Sequence, residues 1–444
     1  MIAIAWLTLS IILVIALILW VKLHPAVALV IGSLLLGFLL GMPAPDIAST
    51  VTKGFGDLMA SLGLSVGFGI ILGQLMSDSG GAKVIARTLI RVTSQRFAIY
   101  GLAFAAFVLA IPVFFDVTFV ILVPLAIAIA RESNKPMPLA IGAVAMGAGA
   151  AHTLVPPTPN PLAAGDIMGF DVGYMVIVGG LVGLIAVIAG ISVYSWILPK
   201  VWQPAMDVAE EPSLQHIPGE DKDPPFLLAL LPIITPLILI LSGTIVGAMV
   251  EEVPVWLAFI GNKTVALLIG ALVAYLVAAP TLSRNEMEES ANTAIQSAGI
   301  VLLITGAGGS LGAIIKEGGI SDLIAKAVGG LGGSHLLALL ACYFVGMAFR
   351  VAVGSGTVAS ITTMTIFANL APTIGIHPVW VATACLAGAL SLGHINDSGF
   401  WVTAKIPGFS VTGGLKVYTL PQFIASVFTI LLVLIGSFVF PMSG

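Results

Sequence analysis

Long apolar stretches dominate this chain, and their spacing predicts membrane-spanning helices. Stretches long enough to cross a bilayer occur at 2–21, 25–42, 55–77, 173–198, 226–250, 255–279, 292–315 and 418–441. Further apolar segments are broken by Gly, Pro or polar residues, at 97–130, 138–168, 335–371 and 378–410. Broken helices are tolerated at membrane depth only where they are buried in protein or line a cavity. The pattern predicts an all-α polytopic membrane protein and favours a transporter over a passive anchor.

The two halves of the chain match each other at one nearly constant offset. A shift of 239 residues superimposes Gly73 on Gly312, Gly80 on Gly319, Ile85 on Ile324, Ala86 on Ala325 and Thr118 on Thr357. Chance matches between apolar sequences would scatter among offsets, so a constant offset predicts an internal duplication. We expect a first repeat at 1–200 and a second repeat at 226–444.

Charge in the connecting loops predicts that the two repeats have opposite orientations. Residues 78–96 carry four basic side chains and one acidic one, so the positive-inside rule puts this loop in the cytoplasm. The equivalent loop, 316–326, carries two of each and has no positive excess. Equivalent loops on opposite faces make the repeats inverted. The polar stretch 202–225, rich in Pro and acidic residues, predicts a cytoplasmic linker at 201–225.

One segment of each repeat is expected to form a helical hairpin. Segment 97–130 follows the basic loop and ends at Arg131 and Lys135, so both its ends face the cytoplasm. Pro112 lies at its tip, where a missing amide proton and a ring clash break the helix. Its counterpart, 335–371, breaks at a Gly-rich tip. Each repeat is predicted to have about five transmembrane helices plus one hairpin, either re-entrant or fully spanning, and a hydropathy count would give about 12–14 segments.

Composition narrows the class of function. Of the 444 residues, 59% are hydrophobic and 9% are charged, so lipid is the expected solvent and partner. No basic tract suggests nucleic acid. The sequence has no nucleophile–base pair and no metal-ligand cluster, so we expect neither an enzyme nor a metal site nor an organic cofactor.

Four polar interruptions at membrane depth are the candidate site. Each repeat supplies one hairpin tip and one unwound helix, at 115–118, 156–160, 354–357 and 396–399. Half-helix N-termini present partial positive charge to an anion, and freed oxygens can hold a cation or carry a proton. The alternative is that the breaks are packing kinks. Their pairing by the repeat, with polar side chains at each break, favours a shared functional site over packing kinks.

Candidate substrate-binding residues divide by the chemical group that each would bind. Arg350 and the residues Ser355, Gly356 and Thr357 are expected to hold a carboxylate. Thr158, Asn160, Asn396 and Ser398 are the other polar candidates for substrate binding, and they would bind hydroxyl groups if the substrate is the sugar acid that the resemblance described below implies. Arg350 has two structural alternatives, because it could pair with Asp116 or Asp397, or it could extend to the membrane surface.

Candidate ion-coupling residues are the intramembrane carboxylates and their polar neighbours. Asp116 or Asp397 could carry a coupling proton, with Thr118 and His394 beside them. The alternative for either Asp is a helix cap or a partner for Arg350. His394 and His152 could relay a proton or could be packing residues.

Several of these motifs, in this order, resemble the gluconate permease (GntP) family of bacterial secondary transporters over essentially the whole chain. The motifs are 114–117, 154–157, 259–262, 306–309, 354–359 and 396–401. The resemblance implies uptake of gluconate or a similar small sugar-acid anion by H⁺ symport across the bacterial inner membrane. The alternative is the same fold carrying another small carboxylate, such as D-serine, glycerate or a dicarboxylate, with Na⁺ coupling. A homodimer through the remaining spans is compatible with either. Where the family often has Pro-Pro-His-Pro, this chain has Thr158 in place of the His.

Overall fold

A computed structural model of the protein describes residues 2–91, 93–208, 223–250, 253–320, 323, 335–395 and 397–441. Within these ranges the chain is helical, and its extended pairing is confined to one isolated bridge between Val208 and Phe409. The predicted all-α class is therefore confirmed. Most of the predicted linker, residues 209–222, lies outside the described residues.

The helices of the first half of the chain run from residue 2 to residue 201. They are α1 (Ile2–Leu19), α2 (Pro25–Leu39), α3 (Ala44–Asp78), α4 (Gly81–Arg91), α5 (Ala98–Leu109), α6 (Phe115–Glu132), α7 (Met137–Leu154), α8 (Pro159–Met168) and α9 (Val172–Val201). A short helix, α10 (Pro204–Asp207), follows them.

The second half repeats this order with small variations. Its helices are α11 (Phe226–Met249), α12 (Val255–Gly261), α13 (Lys263–Ala278), α14 (Arg284–Glu317), α15 (His335–Val353), α16 (Gly356–Ile366), α17 (Leu370–Ile374), α18 (Pro378–Leu390), α19 (Ser398–Lys405), α20 (Val411–Gly414) and α21 (Leu420–Val439). A single π-helical turn, Leu415–Thr419, joins α20 to α21.

Helix bounds in the two halves correspond at the offset found in the sequence. Moving α3 along the chain by 239 residues gives 283–317, where α14 lies, and moving α8 gives 398–407, where α19 lies. The same shift carries α9 to 411–440, which α20, the π-turn and α21 occupy. The two halves thus share one element order, while their inverted orientation stays a prediction.

Several helices are long and apolar enough to cross a membrane. By length and composition, five helical segments of the described chain qualify, and up to seven do if each of two bent pairs forms one span. The five are 137–168, 172–201, 226–247, 284–317 and 411–439, and the bent pairs are 44–78 and 255–278. The stretches predicted at 2–21 and 25–42 form the shorter apolar helices α1 and α2.

Two helices rich in Ala and Gly lie at the centre of the protein. Small side chains cover most of α7 and α18, and nearly every residue of both helices is buried. Small residues let neighbouring helices approach closely in a membrane protein, where lipid gives no hydrophobic drive for association. Each of these central helices ends at an interruption, which brings both breaks into the interior.

Glycines allow the hairpin tips to lie close to their neighbours. The first tip packs its Pro112 carbonyl against Gly73 of α3, at a distance that leaves no room for a Cβ on Gly73. In the second hairpin, Gly354 separates α15 from α16 with φ +75°, a conformation that side chains other than Gly rarely adopt. Both tips are therefore fixed by local backbone requirements.

Candidate functional site

A cavity of about 420 Å³ lies where all four interruptions meet. Its wall includes residues of both hairpin tips, the N-termini of α8 and α19, the C-terminal parts of α7 and α18, and the start of α21. The polar wall residues are Asp116, His152, Thr153, Asn160, Arg350, Ser355, Thr357, Asp397, Ser398, Tyr418 and Gln422. Elements from both halves thus enclose one polar chamber within an apolar protein.

Most of the residues predicted for the site line this cavity. They are Asp116, Asn160, Arg350, Ser355, Gly356, Thr357, Asp397 and Ser398. Asn396 lies outside the described residues. The structure therefore brings six of the eight candidate substrate-binding residues and both candidate carboxylates into one cavity, while their roles stay predictions.

Three predicted residues lie outside the cavity wall and bond to backbone carbonyls. Thr118 contacts the Val113 carbonyl at 3.5 Å. The Thr158 hydroxyl donates to the Val155 carbonyl at 2.8 Å. His394 Nε2 lies 3.0 Å from the carbonyl oxygen of Val351. Their side chains fix the turns that carry the cavity residues.

Arg350 is buried, with 6% of its surface exposed, and its guanidinium is bound on three sides. It forms an ion pair with Asp397, donates to the Tyr418 hydroxyl at 3.0 Å and contacts the Gly354 carbonyl at 3.3 Å. Of the alternatives for Arg350, the structure contains the pair with Asp397. Extension to the membrane surface is excluded, because the side chain is buried.

Asp397 both caps a helix and pairs with Arg350. One carboxylate oxygen accepts the Gly399 amide proton at 2.9 Å at the start of α19. The other accepts the Tyr418 hydroxyl at 2.6 Å and the guanidinium of Arg350. Tyr418 thus bridges both members of the pair, and both carboxylate oxygens of Asp397 accept hydrogen bonds.

Asp116 lies in the first turn of α6 and is exposed at the cavity. Its neighbour Phe115 packs against the rings of Phe119 and Tyr418, which holds the tip in place. Among the described residues, no ion pair or hydrogen bond engages the Asp116 carboxylate. The cavity therefore holds one paired and one unpaired carboxylate.

Four buried polar atoms on cavity residues have no hydrogen-bond partner in the described part of the chain. They are His152 Nδ1, Asn160 Oδ1, Arg350 Nε and Gln422 Oε1. An unsatisfied buried polar atom costs about 1–3 kcal/mol, so such atoms are rare unless a ligand or solvent satisfies them. Because four such atoms lie around one cavity, this cavity is the candidate binding site of the protein.

Tyr418 and Gln422 are cavity residues that the sequence did not single out. Gln422 is 2% exposed and its Nε2 donates to the Ala145 carbonyl at 3.0 Å. Its amide packs against Gly149, where a Cβ would overlap the amide group. A polar residue within the apolar stretch 418–441 was the available signal, because polar groups inside membrane helices are costly and commonly functional.

Comparisons with known proteins agree with this architecture. A family profile described as GntP family permease matches residues 2–439. The high-affinity gluconate transporter of Escherichia coli (strain K12) is 33% identical over 457 residues, which cover 98% of this chain and 99% of that protein. The inner membrane permease YgbN of the same organism is 31% identical, covering 92% of this chain and 93% of that protein.

A solved structure shares the fold at low sequence identity. The YdaH transporter of Alcanivorax borkumensis superimposes with a TM-score of 0.66 at 14% identity, covering 95% of this chain and all of that chain. At this identity the likeness concerns the fold alone. It supports the arrangement of helices in which the cavity is found.

Proposed function

We propose that this chain, which belongs to the GntP permease family, takes up gluconate or a similar small sugar-acid anion by H⁺ symport. The family and the apolar helices make it a multi-pass permease of the inner membrane rather than an enzyme. The E. coli relative is a high-affinity gluconate transporter, which supports gluconate as the substrate of this chain. The observation that carries the proposal is a buried guanidinium in a cavity with several unsatisfied polar atoms.

Arg350 is the proposed partner of the substrate carboxylate. A carboxylate can bind the planar guanidinium through two parallel hydrogen bonds, and Nε is already free of other partners. The nearby N-terminus of α16 adds the dipole of a half-helix. Ser355, Gly356 and Thr357 lie there at the cavity wall, and Gly356 leaves room for the guanidinium. The substrate would exchange places with Asp397.

The hydroxyl groups of the substrate are proposed to bind on the other polar wall residues. Asn160 Oδ1 and Gln422 Oε1 can accept hydrogen bonds, and Ser398 is exposed at the cavity. His152 Nδ1 can donate or accept, depending on its tautomer. A sugar acid has enough hydroxyls to satisfy several of these atoms together. A simple short-chain acid would leave them unsatisfied, which would cost binding energy.

Charge balance supports coupling to a cation. Arg350 contributes one positive charge to the cavity, and Asp116 and Asp397 contribute two negative ones. An anionic substrate would add a further negative charge to a buried chamber, which is costly unless a cation accompanies it. A proton on Asp116, or on Asp397 once the substrate has taken Arg350, would offset that charge. Thr118 and His394, which lie outside the cavity wall, would stabilise the backbone near Asp116 and Asp397.

Uptake by proteoliposomes tests the proposal. The purified full chain is reconstituted, and accumulation of radiolabelled gluconate is followed under an inward H⁺ gradient and, separately, an inward Na⁺ gradient. We expect accumulation under the H⁺ gradient alone. Arg350→Gln should abolish it, whereas Arg131→Gln, which removes an exposed Arg at the end of α6, should not.

Two outcomes would contradict the proposal in different ways. If neither gradient drives accumulation of gluconate, the substrate or the transport mode is wrong. If the Na⁺ gradient alone drives accumulation, gluconate stands as the substrate and H⁺ symport is wrong.

A further inference from the structure

A second cavity, of about 570 Å³, lies away from the substrate cavity at one end of the helix bundle. It is enclosed by the start of α5, the start of α7 and the end of α9. Two cationic side chains, Arg96 and Lys135, line it together with Tyr100 and Trp202. The end of α9 lies here, and α9 is long and apolar enough to span a membrane, so its end would meet the membrane interface.

The side chains that line this cavity carry a net positive charge. No acidic residue of the described chain lines the cavity. Arg96 stacks over the ring of Phe97 at 5.7 Å, and neither Arg96 nor Lys135 pairs with a carboxylate in the ranges that the structure covers. The nearby Asp207 is bound to Lys416 instead. An anion at this position would therefore meet two available cations.

The rest of the wall is apolar and aromatic. Ile99, Leu139 and Leu198 line the cavity together with the two cations. The Tyr100 hydroxyl is hydrogen-bonded to Ser192 at 2.9 Å, and Trp202 packs edge-on against Phe409. Tyr and Trp are enriched at membrane–water interfaces, where their rings meet acyl chains and their polar atoms meet headgroups. Cationic side chains combined with an apolar, aromatic wall match a phospholipid better than a small soluble anion, which could not use the apolar wall.

We propose that this cavity binds the phosphate headgroup of an anionic phospholipid, with Arg96 and Lys135 on the phosphate. Basic pockets between transmembrane helices suit anionic headgroups because charge and acyl chain are satisfied together. Arg can hold a phosphate through two hydrogen bonds, and Lys adds a point charge. The lipid would contact the start of α7, whose other end lines the substrate cavity. This site is independent of the proposed substrate.

Native mass spectrometry of the full chain in detergent tests the site. Phosphatidylglycerol or phosphatidylcholine is added at equal concentration, and the fraction of protein that retains lipid is measured. We expect wild-type protein to retain phosphatidylglycerol at least about fivefold more than phosphatidylcholine, because only the former carries net negative charge. Arg96→Gln/Lys135→Gln should remove this preference. The matched control, Lys22→Gln/Lys53→Gln, removes two exposed cations elsewhere and should keep it.

Further measurements distinguish lipid binding from binding of free phosphate, and loss of the site from misfolding of the variant. An excess of inorganic phosphate should leave the bound phosphatidylglycerol in place, since phosphate cannot use the apolar wall. Displacement of the lipid by phosphate would overturn the proposal in favour of a free-anion site. Equal retention of phosphatidylglycerol by the wild type and the Arg96/Lys135 double variant would also overturn it. Unchanged size-exclusion elution and thermal unfolding of the double variant in detergent establish that it is folded.

Discussion

Two ion pairs of this protein lie in opposite surroundings. Arg350 and Asp397 are both buried and both line the substrate cavity. Asp207 and Lys416 join the segment after α9 to the π-turn before α21, and Asp207 is fully buried. Both are charge pairs between distant parts of the chain, so sequence separation does not distinguish them.

The two pairs differ in what surrounds them. Asp207 accepts from the Lys416 ammonium at 2.7 Å and from the Gln203 amide at 2.6 Å, and it does not line the cavity where the four interruptions meet. Arg350 keeps an unsatisfied Nε and has the unpaired Asp116 in the same chamber. A satisfied pair without a cavity holds structure together, whereas an unsatisfied pair at a cavity can exchange partners. The following predictions test that distinction.

Asp116→Asn is expected to have the largest effect. If Asp116 carries the coupling proton, the amide cannot titrate, and accumulation of gluconate driven by an H⁺ gradient should fall by about 100-fold or more. Exchange of labelled for unlabelled gluconate without a gradient should fall much less. The matched control is Glu132→Gln at the exposed end of α6. Wild-type accumulation by Asp116→Asn would exclude Asp116 as the proton carrier.

Asp397→Asn should separate binding from transport. Because Asp397 and the substrate compete for Arg350, removing the carboxylate charge should tighten gluconate binding by about tenfold while net uptake falls. Calorimetric titration of the purified protein measures the affinity, and proteoliposome uptake measures the rate. Weaker binding would show that the pair forms part of a fixed scaffold, like Asp207 with Lys416.

Gln422→Leu should weaken substrate binding without affecting coupling. The substitution keeps the side-chain volume and removes the oxygen proposed to accept a substrate hydroxyl, so KM for gluconate should rise by about fivefold to tenfold. The ratio of gluconate to H⁺ transported should stay the same. Gln203→Leu, at the exposed segment before α10, is the control. An unchanged KM would remove Gln422 from the binding site.

The sequence predicted those site residues that lie at breaks in helices. Pro and Gly at 112 and 354, and the polar residues at 158–160 and 396–399, disrupt a 3.6-residue pattern locally, so they are visible without coordinates. Residues from all four interruptions line one cavity, as expected from their pairing by the repeat, although Thr158 lies outside its wall. The apolar stretches predicted at 55–77 and 292–315 are shorter than the helices found there, Ala44–Asp78 and Arg284–Glu317, because hydropathy does not mark the polar first turns of those helices.

Tyr418 and Gln422 could not be found in the same way. Tyr418 lies in the single π-turn and Gln422 lies in the first turn of α21, and nothing in the local sequence pattern marks that π-turn. The choice of Asp397 over Asp116 as the partner of Arg350 depends on tertiary geometry across more than forty residues of chain. Thr158 and His394 were predicted to line the site but lie outside the cavity wall, because their side chains bond to nearby backbone carbonyls. The direction of a side chain cannot be read from composition.

Asp207→Asn should lower the stability of the fold and leave transport unchanged. Of these predictions it has the smallest expected effect on function. Burial alone would raise the pKa of Asp207, but the hydrogen bonds from Lys416 and Gln203 and the charge of Lys416 together lower it below its ordinary value of 3.8. A carboxylate with a lowered pKa stabilises the fold at neutral pH, and this contribution is lost as pH falls through that lowered value.

Thermal unfolding in detergent measures the difference between the wild type and Asp207→Asn. At about pH 7 the variant should be less stable by about 2 kcal/mol, because the Lys416 ammonium loses its buried partner. The gap should narrow as pH is lowered through about 4 and below, since the wild-type carboxylate then approaches protonation. Gluconate uptake at neutral pH should match the wild type below the unfolding temperature. A loss of uptake with unchanged stability would place Asp207 with Asp397, and the contrast between the two pairs would fail.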